Sequence, residues 1–378
     1  ICVKDIFKLE AGHYLLVNED RRIIKEQYWD AIPDAKIECT EAEAIETIRL
    51  KLRESIRDRL ISDVPLGAFL SGGIDSSIIV ALASRHRQAL STFSIGFKGE
   101  EFFDETHFAE LVAKKFKTNH TTFTLGVDDY LNHIYDVLNY LDEPFADTSA
   151  LPQFILCMET RKHATVAISG DGGDEVFAGY NKHYAEWQAR RKSITSALIK
   201  AGSPLWKLLP KGRNTKLSNL FRQLDRFSEA AHLSPKERYW HWASAFSEKD
   251  VNDLLHKNTL EKTDESVLLD IKSFSLSEID DTDFNSVLKT DLGLVLPGDM
   301  LVKVDLMSMS NSLEVRVPFL DYTVVDSAFS LPSEFMINSQ TGKLILKDTF
   351  RKELPEELYH RGKHGFEVPL LKWFRTGL

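Results

Sequence analysis

The 378-residue chain has little cysteine and lacks the long apolar segment of a membrane-spanning helix. Its three cysteines, Cys2, Cys39 and Cys157, lie far apart. They form no Cys-x-x-Cys pair, which excludes a cysteine metal site or thiolation site and fits a reducing compartment. No apolar run approaches the ~18 residues of a membrane span, and no secretory signal is recognisable. We therefore expect a cytoplasmic protein without a membrane partner.

The chain also has fewer basic than acidic residues: 47 Lys and Arg against 57 Asp and Glu, which gives a net charge of −10. A nucleic-acid-binding protein needs a basic face, so we expect no nucleic-acid partner. A small basic cluster, Lys207, Lys211, Arg213 and Lys216, is interpreted as a solvated loop. A small anionic substrate stays compatible with this composition, since a local cationic pocket suffices for it.

Neither of the common phosphate loops occurs, but Leu66–Ser77, LGAFLSGGIDSS, has the features of another one. A short apolar run leads into Gly72 and Gly73 and then into an apolar-periodic helix, which predicts strand, glycine turn and helix start. Such a turn binds anions through backbone N–H groups and the positive end of the helix dipole. Asp75 suits this place mainly if a divalent metal lies between it and phosphate. Hydroxyl donors come from Ser71, Ser76 and Ser77.

The segments after this loop alternate between strand and helix. Strands are predicted at 66–70, 91–97, 121–125 and 165–169, and helices at 41–60, 76–86, 105–116, 128–141 and 150–163. This alternation predicts an α/β fold, a doubly wound parallel sheet with helices on both faces. Residues 181–290 lack clear strands and predict a helical region, and residues 292–321 and 327–378 are expected to continue as helices and loops, which gives a helical C-terminal portion. Residues 1–30 predict a hairpin, and 31–40 a linker.

A second glycine turn, Ser169–Glu175 with the sequence SGDGGDE, follows the predicted strand 165–169. Three acids in one turn require a metal or a cation to balance them. Because the carboxyl ends of parallel strands meet at one edge of a sheet, the two turns predict one shared site. A third stretch, residues 297–321, mixes charges into an apolar context, where Asp305 and Arg316 are a candidate structural pair.

These stretches together resemble the asparagine synthetase family, whose synthetase domain belongs to the ATP-pyrophosphatase superfamily. The motifs that carry the resemblance, in the family's order, are SGGIDSS, TFSIGF, DEPFADTSALP, SGDGGDEVFAGY, LPGDMLVKVDLMSMSNSLEVRVPFLD and KHGFEVPL. The resemblance implies an adenine nucleotide α-hydrolase-like fold. It also implies that residues 1–40 are the end of an upstream Ntn-type glutaminase domain with its linker, and that 41–378 form the ATP-dependent synthetase domain. Both ends of the chain look trimmed from a longer protein.

The resemblance also assigns roles to residues. ATP-binding residues would be Leu70, Ser71, Gly72, Gly73, Asp75, Ser76, Ser77, Ile95, Ser169 and Gly170, with Leu70 and Ile95 beside the adenosine. Asp75 and Asp174 would hold Mg²⁺. Lys363 and, less directly, Lys343 would neutralise charge in the adenylation transition state. Asp171 would influence formation of the intermediate or attack by ammonia.

The implied activity is that of a carbon–nitrogen ligase with glutamine as amide donor. ATP would adenylate a carboxylate and release pyrophosphate, and ammonia would then displace AMP. Two departures bear on the acceptor: Asp171 stands where the family commonly has Glu, and the segment at 147–151, DTSAL, lacks the arginine of a Thr-Thr-x-Arg pattern that suits an amino-acid carboxylate. Aspartate and a sugar uronic acid of surface polysaccharide both stay open as acceptors, as does a homodimer. A further interpretation, from another functional class, is that the chain is a non-catalytic nucleotide-binding subunit.

Overall fold

The computed structural model describes residues 5–31, 36–100, 102–191, 193–212, 215–255, 265–360, 365, 368–369 and 373. The chain divides into two compact units. The first comprises Ile1–Val176, Val295–Pro332 and Ile345–Leu378, and the second comprises Phe177–Leu294 and Ser333–Leu344. Lys363 and Cys2 lie outside the described residues.

The first unit contains a five-stranded parallel sheet. Its strands are β3 (Leu66–Phe69), β4 (Ser91–Phe97), β5 (Asn119–Leu125), β6 (Val166–Ile168) and β7 (Glu314–Arg316). Their order across the sheet is β5-β4-β3-β6-β7, and every neighbouring pair is parallel. The chain therefore adds β4 and β5 on one side of β3, and then places β6 and β7 on the other side of β3. The predicted doubly wound α/β fold is confirmed, with its switch point between β3 and β6.

Helices flank this sheet. They are α1 (Glu41–Arg59), α2 (Ile74–Ala83), α3 (Thr106–Phe116), α4 (Val127–Tyr140), α5 (Ala150–Arg161), α6 (Gly173–Val176), α15 (Leu301–Met309), α16 (Tyr322–Ser330) and α17 (Leu344–Phe350), which runs on from the second unit. Short helical turns occur at Leu296–Met300, Pro318–Leu320 and Glu356–Tyr359. Helix α1 shows why such segments form, since Thr40 and Glu43 make a capping box and a buried stripe includes Ile48, Leu52 and Ile56.

The core of the first unit lies against the middle of the sheet. All four residues of β3 and all three of β6 are buried, as a strand covered on both faces requires. One apolar cluster joins Phe69 and Phe93 to Cys157 on α5 and to Leu313 before β7. This burial holds the carboxyl ends of β3 and β6 side by side.

Strand β7 is a correction, because residues 292–321 were expected to form helices and loops. The strand has only three residues, too few for an alternating pattern. The expected pair of Asp305 with Arg316 is also wrong. Arg316 instead pairs with Glu314 at 2.6 Å and donates to the carbonyl oxygens of Arg59 and Ile61.

The predicted N-terminal hairpin is confirmed. Strands β1 (His13–Val17) and β2 (Ile23–Gln27) pair antiparallel in a separate two-stranded sheet. Its side chains are largely exposed, and the exposed apolar ones include Leu15, Leu16, Val17, Ile23 and Ile24.

The second unit is helical, as predicted for residues 181–290. Its helices are α7 (Asn181–Arg190), α8 (Ile194–Ala201), α9 (Ser203–Leu208), α10 (Lys216–Ala230), α11 (Pro235–Ala243), α12 (Glu248–Leu254), α13 (Glu265–Ser275) and α14 (Asn285–Gly293), with a helical turn at Ser333–Phe335. A fully buried carboxylate, Asp291, accepts hydrogen bonds from Lys182 at 2.6 Å and from Tyr239, and pairs with His183. Within the described parts of the chain, no helix is long and apolar enough to cross a membrane.

Candidate functional site

The loop after β3 forms a tight turn that only glycine fits. Gly72 has φ of +74°, and a Cβ there would lie 2.6 Å from the backbone nitrogen of Ala109 and from Cβ of Phe108. The turn is thus packed directly on α3, and a side chain would both strain the backbone and separate the two elements. Gly73 is the N-cap of α2 and supplies no capping side chain, so Asp75 lies in the first helical turn and is not the cap.

Serine hydroxyls and glycine backbone hold this loop together. The Ser71 and Ser76 hydroxyls lie 3.1 Å apart, and Gly73 donates its N–H to Ser71 Oγ at 3.3 Å. Ser76 in turn donates to the Gly73 carbonyl at 3.2 Å. Ser77 is fully buried, and its hydroxyl finds no hydrogen-bond partner among the described residues. The loop thus gathers several hydroxyls at the start of α2, the predicted anion-binding position.

The second glycine turn, Ser169–Glu175, touches the first. A Cβ on Gly170 would lie 3.0 Å from Cβ of Asp75, and one on Gly173 would lie 2.9 Å from Asp75 Oδ1. Gly172, with φ of +88°, packs on Leu320 so closely that a Cβ would lie 2.3 Å from Cδ2. The expectation that both turns meet at one edge of the sheet is therefore confirmed.

Three carboxylates gather where the turns meet. Ser169 donates a hydrogen bond to Asp171 Oδ2 at 2.5 Å. Burial raises the pKa of the half-buried Asp171 carboxyl, and the charges of Asp174 and Asp75 raise it further, against the Ser169 hydrogen bond and the positive charge of Lys303. Negative charge is thus concentrated where the turns meet. Such a concentration favours binding of a partner that is electrophilic or that carries a metal ion.

Lys303 on α15 is the residue at this site that sequence reasoning missed. Its ammonium group is buried and lies 2.7 Å from Asp147 Oδ2 and 3.0 Å from Ser149 Oγ. Ser149 also donates its N–H and its hydroxyl to Asp147 Oδ1, at 2.8 Å each. Burial by itself raises the pKa of Asp147, but Lys303 and Ser149 outweigh it, and the pKa lies below its usual range. A lysine inside the apolar run MLVKVDLM was the available signal.

The other predicted residues are distributed as follows. Leu70 is fully buried at the end of β3, and Ile95 is half-buried on β4, the neighbouring strand. Asp174 is half-buried in α6. Lys343 belongs to the second unit, where its side chain is buried and its N–H donates to the Phe177 carbonyl. The roles of these residues, and of Lys363, stay predictions.

The donor set at Asp75 and Asp174 fits magnesium rather than a metal bound by protein alone. No group of three or more His, Cys, Asp or Glu side chains suited to a metal occurs in the described ranges. Mg²⁺ is usually bound through one or two carboxylates together with substrate phosphates. Asp75 in the first turn of α2 and Asp174 in α6, on two glycine turns that contact each other, are such a pair of carboxylates.

The family model described as asparagine synthase matches residues 47–378. The chain belongs to the asparagine synthase family. A relative in Bacillus subtilis (strain 168), asparagine synthetase (glutamine-hydrolyzing) 1, is 32% identical over 98% of this chain and 56% of its own length. Two others, also named as glutamine-hydrolyzing asparagine synthetases, are 35% identical over 86% of the chain in Mycobacterium bovis and 34% identical over 84% in Methanocaldococcus jannaschii. The match covers 48% of the length of the Mycobacterium bovis relative and 59% of that of the Methanocaldococcus jannaschii relative. The chain spans about half the length of these members of the asparagine synthase family.

Proposed function

We propose that this chain is the synthetase part of an ATP-dependent amide-forming ligase. Its substrate carboxylate attacks the α-phosphorus of ATP and releases pyrophosphate, and ammonia then displaces AMP from the acyl-adenylate to form the amide. The observation that carries the proposal is the direct contact of the two glycine turns through Asp75, Gly170 and Gly173. This contact lies at the switch point between β3 and β6, where doubly wound folds bind nucleotides.

In this proposal the turn after β3 holds the leaving group. The hydroxyls of Ser71, Ser76 and Ser77 and the backbone of Gly72 and Gly73 bind the β- and γ-phosphates as they depart. Leu70 and Ile95 line the adenosine, and Ser169 and Gly170 contact the nucleotide. Positioning of the phosphorus in line with the attacking carboxylate is the main contribution of such a cradle.

Charge at the site is balanced by a metal and by lysines. Asp75 and Asp174 would hold Mg²⁺, which would withdraw charge from the phosphate oxygens when bound. Lys363, and less directly Lys343, supply positive charge for the adenylation transition state. Asp171, with its raised pKa, is suited to hold a proton during attack by ammonia.

Aspartate is the first candidate acceptor, since relatives carry the asparagine synthetase name. A sugar uronic acid is the second, and one observation favours it. The segment at 147–151 has no arginine to form a bidentate pair with an amino-acid carboxylate. Asp147 in that segment is already engaged by Lys303. An acceptor without an α-carboxylate does not need that arginine.

We further propose that residues 1–40 end an upstream glutaminase domain, with glutamine as the source of ammonia. The exposed apolar side chains on β1 and β2 support this, because a two-stranded hairpin in water is marginal without a further layer. The names of the relatives describe those proteins as glutamine-hydrolyzing. A homodimer and a place in the cytoplasm stay predictions.

The test is pyrophosphate release by the chain with ATP, Mg²⁺, ammonium and either aspartate or a uronic acid. Release should depend on one carboxylate and yield its amide. Asp75→Asn should lower the rate at least about a hundredfold, given the scale of lost charge stabilisation in active sites. Asp58→Asn, which changes an exposed carboxylate beside Arg57, is the matched control and should keep the parent rate. An Asp75→Asn variant with unchanged release contradicts the proposal, whereas activity with the uronic acid alone removes only aspartate as acceptor.

A further inference from the structure

The charge of the chain is distributed very unevenly. Between Glu186 and Asp225 the sequence has nine Lys and Arg residues and no Asp or Glu, in a chain whose net charge is −10. We call residues 187–224 the acid-free segment; its described residues include the end of α7, all of α8 and α9, and the first part of α10. Its cations are Arg190, Arg191, Lys192, Lys200, Lys207, Lys211, Arg213, Lys216 and Arg222.

Large aliphatic side chains of the same segment face solvent. On α8, Ile194 is 82% exposed and Leu198 is 67% exposed, one helical turn apart and therefore on one side of the helix. On α9, Leu208 is 83% exposed, and Leu205 lies on the same side one turn earlier. Leu217 and Leu220 repeat the spacing on α10, and the three helices pack against one another. Isolated exposed leucines are ordinary, but five leucines and one isoleucine exposed on three helices that pack against one another are more than scattered surface positions.

Cations border these leucines. Arg190 pairs with Glu186, and Lys211 pairs with Asp225 at the end of the segment. Lys200 and Lys207 make no ion pair with any residue that the structure describes, and Lys207 is exposed directly beside Leu208. The surface is thus both apolar and basic, with no carboxylate of its own to neutralise it.

We propose that the acid-free segment binds the chain peripherally to an anionic phospholipid surface. Helices with aliphatic side chains and Lys or Arg at their borders lie in the membrane interface, where apolar burial and attraction to anionic headgroups act together. Two other candidate partners for this surface, a second copy of the chain and single-stranded nucleic acid, fit it less well. A second copy of this chain, related by a two-fold axis, would place the same unneutralised cations against one another. Single-stranded nucleic acid is bound by aromatic stacking, and exposed leucines offer none.

This contact needs no membrane-spanning helix. The expectation of no membrane partner rests on the absence of a long apolar run, which excludes spanning segments only. An interfacial helix is recognised by a different pattern, apolar and basic residues on separate sides of the helix. The net negative charge of the whole chain is locally reversed in this segment.

The experiment is vesicle flotation with the 378-residue chain. Vesicles of phosphatidylcholine alone are compared with vesicles that also contain phosphatidylglycerol. The chain should float with the anionic vesicles and not with the neutral ones, and added salt should weaken the binding, since salt screens exposed charges. The paired variant Leu198→Ser with Leu208→Ser should lower the bound fraction about tenfold, as should Lys200→Glu with Lys207→Glu.

Leu254→Ser is the matched control. Leu254 on α12 is 78% exposed in the same unit, but its helix also carries Glu248, Asp250 and Asp253. This variant should bind anionic vesicles like the parent. Equal binding to both kinds of vesicle overturns the proposal, as does an equal loss in Leu254→Ser. Absence of vesicle binding also overturns it, and self-association that the Leu198 and Leu208 changes remove would then assign the surface to a second copy.

Discussion

Replacing Lys303 by methionine tests the charge balance of the candidate site. The change keeps most of the side-chain length beside Met300 but removes the ammonium group. Asp147 then loses its ion pair while keeping the two hydrogen bonds from Ser149. Asp171 loses the nearby positive charge that limits the rise of its pKa. Both carboxylates are therefore less well compensated in the variant.

The expected loss of stability follows from the burial of the pair. Removing one partner of a buried ion pair costs about 3–5 kcal/mol when the remaining charge is fully desolvated. The side chain of Asp147 is 19% exposed, and that of Lys303 is 8% exposed. Water can thus reach the remaining carboxylate, and we expect Lys303→Met to lower the free energy of unfolding by about 2–3 kcal/mol.

Urea unfolding of four proteins measures this coupling: the parent, Lys303→Met, Asp147→Asn and the double variant. The double variant should be more stable than the sum of the single losses predicts, by about 1–2 kcal/mol, because no unpaired charge is left. The destabilisation by Lys303→Met should also shrink as the pH falls and Asp147 is protonated. If Lys303→Met stays within about 0.5 kcal/mol of the parent, the range of an ordinary surface substitution, the reasoning is refuted.

Gly172→Ala should lower the free energy of unfolding by about 2–4 kcal/mol, because it adds backbone strain at φ of +88° to a clash with Leu320, whereas Gly99→Ala at φ of +73° in open space should lose only about 1 kcal/mol. Equal losses in urea titrations would contradict the clash. Burial raises the pKa of Asp291, but Lys182 and the other partners outweigh it and lower the pKa to about 2. Its stabilisation is therefore present above the unfolded-state pKa of about 4 and is lost as the pH falls toward 2, on the order of 2 kcal/mol. Asp291→Asn should lack this acid-dependent part of the stability profile, and an unchanged profile would contradict it.

Most of the fold was predictable because its pattern is local. Strand β4 has the predicted bounds, and α1, α3, α4 and β5 differ from their predictions by two residues or fewer at each end. These segments are long and strongly periodic, so apolar spacing alone identifies them. Strand β7 escaped detection because three residues carry no period, and only pairing with β6 makes them a strand.

The candidate site was predictable in part. The glycine turns follow buried strands, so their meeting at one edge follows from parallel-sheet geometry. Lys303 lies within one of the family motifs, but the sequence gives it no role because its partner Asp147 lies far away along the chain. No spacing rule joins Asp147, in the loop before α5, to Lys303 on α15. The exposed leucines of α8 and α9 were missed for a similar reason, since apolar helix positions are by default expected in the core.

The sequence by itself determined the alternation of strands and helices and the two glycine turns, because each depends on neighbouring residues. Tertiary structure decided the rest. It set Gly170 and Gly173 against Asp75, paired Lys303 with Asp147, and left the leucines of the acid-free segment in solvent. Each of these depends on packing between segments distant along the chain, and such packing leaves no local pattern in the sequence.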